Sequence, residues 1–89
     1  MFGLFKKETV DYDAMFMEQY KAMNALRRQA QDEPDPVIRQ SLLDVVAEKG
    51  RELVDLIDKG AAQDRTHFQH LAEQAEKEAQ DFRALNEDL

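Results

Sequence analysis

The sequence predicts an all-α fold, an elongated three-helix bundle that a second copy can complete as a dimeric helical bundle. Three observations lead there. Apolar residues recur at steps of three and four through three long segments, and nowhere alternate as a strand requires. Asp, Glu, Lys and Arg make up 35% of the chain against 43% apolar residues, with three Gly and no Trp, a balance that suits long helices with one wet face. Finally, the two prolines of Glu33-Pro34-Asp35-Pro36 and the glycine after Lys59 punctuate the chain into three pieces.

The first helix is expected over 10–31, capped by Thr9 or Asp11. Its stripe is Tyr12, Met15, Phe16, Ala22, Met23, Leu26 and Ala30, interrupted by the polar Gln19. Each proline pushes its predecessor out of the α region, so the helix stops near Asp32. Asp35 can then accept bonds from the next free amides, and Pro36 at the first helical position gives up an N–H that has no intrahelical partner. A second helix therefore runs over 36–59, with Ile38, Leu42, Val45, Val46, Leu53, Leu56 and Ile57 on its apolar side.

That stripe passes through Gly50 without losing phase, which places the glycine mid-helix and facing inward. A glycine there costs about 1 kcal/mol relative to alanine, and close approach of a neighbouring backbone or ring is the compensation. Lys59-Gly60 reads as a last-turn cation followed by a terminating glycine, with Asp64 available to cap the next element. Ala61 and Ala62 are good helix formers, so the alternative is one long bent rod through residue 60. The third helix, over 62–87, has a narrow heptad-like seam of Phe68, Leu71, Ala75, Phe82, Leu85 and Leu89, broken at Glu78 with Ala79 beside it.

In domain terms, residues 1–8 are an N-terminal segment and 9–89 a single helical domain. A chain of 89 residues buries less than about 70% of its unfolded surface, and pairing with another chain is a common way to gain stability at this size.

Charge and composition exclude several functions. The net charge is −7 and the bases do not cluster, which opposes binding to a nucleic-acid backbone. Without Cys there is no disulfide framework, thiolate zinc site or cysteine nucleophile, and a reducing, cytoplasmic location is expected. The opening Met-Phe-Gly-Leu-Phe-Lys-Lys has no long apolar run, so neither a secretory signal nor a membrane span is expected, and Gly3 stands one place too late for myristoylation. The single serine, Ser41, lies one turn into the second helix, and there is no strained elbow or glycine-rich phosphate loop. The expectation is a protein that is not an enzyme and carries no cofactor.

The one metal-like constellation is Asp64, His67, His70 and Glu73, whose steps of three turn gradually around the third helix. His67 and His70 can meet on one face, but a complete site needs ligands from elsewhere, such as Glu18, and paired Glu-x-x-His motifs are missing. The plainer expectation is two imidazoles half-buried beside Phe68 and Leu71, with no metal.

Two surfaces remain. Met15, Met17 and Met23 with Phe16 and Tyr20 make the first helix soft and aromatic, which suits a core, including one shared between chains, better than a separate docking face. In the self-associating reading, Phe16, Met23, Leu42, Val46, Leu53, Ile57, Phe68, Leu71 and Phe82 carry the contact and Gly50 permits close approach. At the N-terminus, Phe2, Leu4 and Phe5 precede Lys6 and Lys7, and rings at the acyl boundary with ammonium groups among headgroups can hold a membrane surface. Two lysines supply only about 1 kcal/mol each, so that contact is weak unless an oligomer presents several copies. The function expected is therefore that of a small helical protein–protein interaction or structural protein, bound to itself as a homodimer, to another protein, or to both. A peripheral membrane-surface protein using Phe2–Lys7 is the first alternative, and a metal-binding bundle at His67 and His70 the second.

Overall fold

Three α-helices follow one another in the computed structural model, which describes residues 10–87: α1 (Tyr12–Asp32), α2 (Pro36–Lys59) and α3 (Arg65–Glu87). The all-α three-helix expectation holds, with no strand among the described residues. Connections of three and five residues make sequential helices antiparallel neighbours, as in an up-down-up bundle.

Local chemistry sets the ends. Asp11 is the N-cap of α1, its Oδ1 accepting from the Ala14 N–H at 2.9 Å, so the helix begins at Tyr12 rather than at residue 10. Asp35 caps α2 by accepting from the Val37 and Ile38 N–H groups at 2.9 and 3.4 Å, with Pro36 at the first position. At the far end Gly60 takes φ 139°, a left-handed-side conformation that side chains resist, and its N–H bonds back to Leu56 and Ile57 carbonyls. The Ala61 N–H closes on the Leu56 carbonyl at 2.9 Å. The long bent rod is thus excluded.

The third helix starts at Arg65, three residues later than expected. The reason is tertiary. Ala61 is buried under the bundle end and the Ala62 N–H donates to Asp13 Oδ1 of α1 at 2.7 Å, which holds the segment out of helix until Asp64 caps α3 through the His67 N–H at 3.3 Å.

α2 lies in the middle and packs along both neighbours. Its buried arc is consequently wider than one stripe: Leu43, Ala47 and Val54 are buried as well as Val46, Leu53 and Leu56, while Ile38 and Val45, expected inside, are 48% and 40% exposed. Gly50 is mid-helix and buried, as its phase predicts. A Cβ built on it would stand 3.0 Å from Ala72 Cα and 3.1 Å from Ala72 Cβ, so backbone approach between α2 and α3 is what the glycine permits. The buried Ala72, Ala75 and Ala79 of α3 continue this close crossing and explain its alanine-rich seam.

α1 and α3 meet through rings at the Gly60 end. Phe16 and Phe68 pack edge to face at 4.8 Å, and Tyr20 and Phe68 do so at 5.6 Å. A smaller cluster of Ala30, Leu43 and Ala79, flanked by Leu42 and Phe82, fills the opposite end.

Candidate functional site

Most residues expected to bind across chains are occupied within one. Phe16, Met23, Val46, Gly50, Leu53 and Phe68 are buried, and Leu42, Ile57, Leu71 and Phe82 are partly buried against the same core. The Met-rich face of α1 is split: Met23 is fully inside, whereas Met15 and Met17 are each 45% exposed and, two residues apart, point to different sides. Gln19, the polar interruption of the stripe, accepts from Lys49 Nζ at 2.8 Å and so ties α1 to α2.

What stays open is a groove of about 510 Å³ over α2, between α1 and α3. Leu43 and Arg39 of α2, Arg27 of α1, and, on α3, Leu71, Ala75, Glu78, Phe82 and Leu85 line it, together with Lys77 and Asp81, which pair with each other at 2.8 Å. Its origin is visible in the residue types. Phe16 and Tyr20 bridge to α3 near the Gly60 end, but farther along α1 Leu26 packs against the main core, and the residues next to it, Arg27 on the groove and the small Ala30, put no apolar bulk there beside Phe82 and Leu85. Leu85 is left 62% exposed.

The electrostatics of this groove are distinctive. The Arg39 guanidinium lies over the Phe82 ring, 5.2 Å from its centroid, and its buried Nε has no hydrogen-bond partner. Among the described residues, Arg27, Arg39 and Glu78 make no ion pair. The other side of the α2–α3 contact is different: Arg51–Glu76 at 3.1 Å, Arg65–Asp58 at 2.7 Å and Arg83–Asp44 at 2.8 Å stitch the two helices together. The hydrogen bond from Arg65 lowers the Asp58 carboxyl pKa and raises that of Arg65 itself, and Lys77 is raised likewise by its bond to Asp81. All these groups are solvent-exposed, and such pairs contribute little to stability individually.

The proposed metal ligands do not come together. Asp64 is engaged as a helix cap, Glu73 accepts from Gln69 Nε2 at 3.0 Å, and His70 Nε2 lies 3.3 Å from Gln74 Nε2. His67 packs its ring edge to face on Phe68 at 4.8 Å. Among the described residues no three His, Asp or Glu side chains converge as a metal site would need. Both imidazoles are exposed rather than half-buried, because the α3 seam is too narrow to cover positions beside it. Ser41 is turned back on its own helix, its Oγ donating to the Val37 carbonyl at 3.3 Å.

Phe2, Leu4, Phe5, Lys6 and Lys7, with Thr9 and Leu89, lie outside the described residues. No described helix is long and apolar enough to cross a membrane. Arg27, Arg39 and Leu43 were not among the residues singled out from sequence. A signal existed: Arg27 stands four residues after Met23 and three before Ala30, a charge on the apolar stripe itself. Compared with protein-family models, curated proteins and solved structures, the chain matches none.

Proposed function

We propose that this chain is a non-enzymatic helical protein of a reducing, cytoplasmic compartment that works by binding protein, a second copy of itself before any other chain. The observation that carries the reading is the groove between α1 and α3, with half-buried Leu71 and Phe82 and exposed Leu85 on one wall and two arginines that have no acidic partner among the described residues. Apolar side chains beside bare cations attract a helix that carries leucines and carboxylates together. The chain is itself such a molecule, acidic overall at −7 and helical throughout α1, α2 and α3.

Self-association linked to folding makes thermal stability depend on chain concentration. Melting followed by circular dichroism over a hundredfold concentration range should show Tm rising with concentration. A Tm that does not move contradicts the reading.

A further inference from the structure

We infer that the groove receives α3 of a second copy, laid antiparallel about Glu78, so that Leu71 meets the partner's Leu85 and each Glu78 carboxylate faces the partner's Arg27 and Arg39. This rests on the self-association reading and specifies its surface.

The spacing is the first support. Leu71, Glu78 and Leu85 all line the groove and stand seven residues apart, two helical turns or about 10 Å each way. The row is therefore the same read in either direction, Leu-Glu-Leu, and a two-fold axis through Glu78 superposes leucine on leucine. Any shift of register by one heptad would set a leucine against Glu78 instead.

The charges are the second support. Antiparallel pairing brings two carboxylates together on the axis, which is unfavourable unless cations stand beside them. Arg27 and Arg39 line the same groove and lack an acidic partner among the described residues, and Arg39 holds a buried Nε without an acceptor against the Phe82 ring. One copy supplies the cations and the other the carboxylate, in both directions. Glu78, which interrupts the heptad seam of the isolated helix, becomes the residue that selects partner and register. Within a single chain the site is incomplete: Leu85 remains 62% exposed and the arginines remain bare.

The test is charge exchange between chains. Glu78→Arg and Leu85→Asp, both at exposed positions, should keep native helicity by circular dichroism and weaken the dimer at least tenfold in sedimentation equilibrium. Arg39→Glu should do the same, with Arg27→Glu as the substitute if the loss of the contact to Phe82 disturbs folding. Mixing Glu78→Arg chains with Arg39→Glu chains should restore a one-to-one heterodimer, seen by native mass spectrometry, although neither variant dimerises alone. A wild-type dimer that persists unchanged in Glu78→Arg and in Leu85→Asp would overturn the register and leave self-association through another face. A wild-type chain that is monomeric at every concentration would overturn both.

Discussion

At Gly50 a single missing methyl sets the distance between two helices. The backbone of Ala72 stands 3.0 Å from where a Cβ would be, and backbone cannot swing aside as the Met23 Cε at 3.6 Å could. Gly50→Ala gains helix propensity, about 1 kcal/mol, yet must push α3 away from α2 along a close alanine-lined crossing. We expect overpacking to win, with a net loss of about 1–2 kcal/mol in urea unfolding. A stabilised Gly50→Ala would mean that α2 and α3 can separate at no cost. The inward position of Gly50 was readable from the phase of its neighbours, since Val46, Gly50, Leu53 and Ile57 keep step. The identity of what approaches it was not, because Ala72 is distant in sequence and small, and a small side chain leaves no pattern that distinguishes contact from filler.

Caps and turns decide where each helix begins and ends. α2 was legible from 36 to 59 because both its signals are local: Asp35 with Pro36 at one end, and Gly60 with its positive φ at the other. Asp35→Ala removes the acceptor for two amide N–H groups and should cost about 1 kcal/mol, read as a lower denaturation midpoint with an unchanged slope. The start of α3 was not legible. It depends on Asp13 reaching across 49 residues of sequence to the Ala62 N–H, and on Ala61 being buried under the bundle end. The Asp58–Arg65 pair spans this same α2–α3 turn. Its hydrogen bond holds Asp58 below the usual carboxyl value of 3.8, so the pair contributes fully above that pH and is lost as pH falls through the lowered value. The stability difference between wild type and Asp58→Asn should therefore be present at pH 7 and shrink on acidification below about pH 4. A difference that stays constant with pH would show that the carboxylate charge contributes nothing.

For the whole molecule, α1 and α3 are held together by Phe16, Tyr20 and Phe68 at one end and part around a groove toward the other. This opening was not legible in the sequence as such. Each helix showed an apolar stripe, but the stripes do not say which pairs are consumed by the chain's own core and which are left over. Here α2, flanked on both sides, consumes most of them, and the groove falls to residues that periodicity ranks last: an arginine on the α1 stripe, an arginine one turn before Leu43, and a glutamate in the α3 seam. The metal alternative has no converging group of His, Asp or Glu among the described residues, and the membrane alternative rests on Phe2–Lys7, which lie outside them. The proposal that a second copy completes this bundle is tested by the absolute mass of the wild-type chain, measured by light scattering after size-exclusion chromatography over a wide concentration range. A dimer of this kind gives a mass of twice the 10.3 kDa chain that falls toward one chain only on dilution. A mass of one chain at every concentration would contradict it.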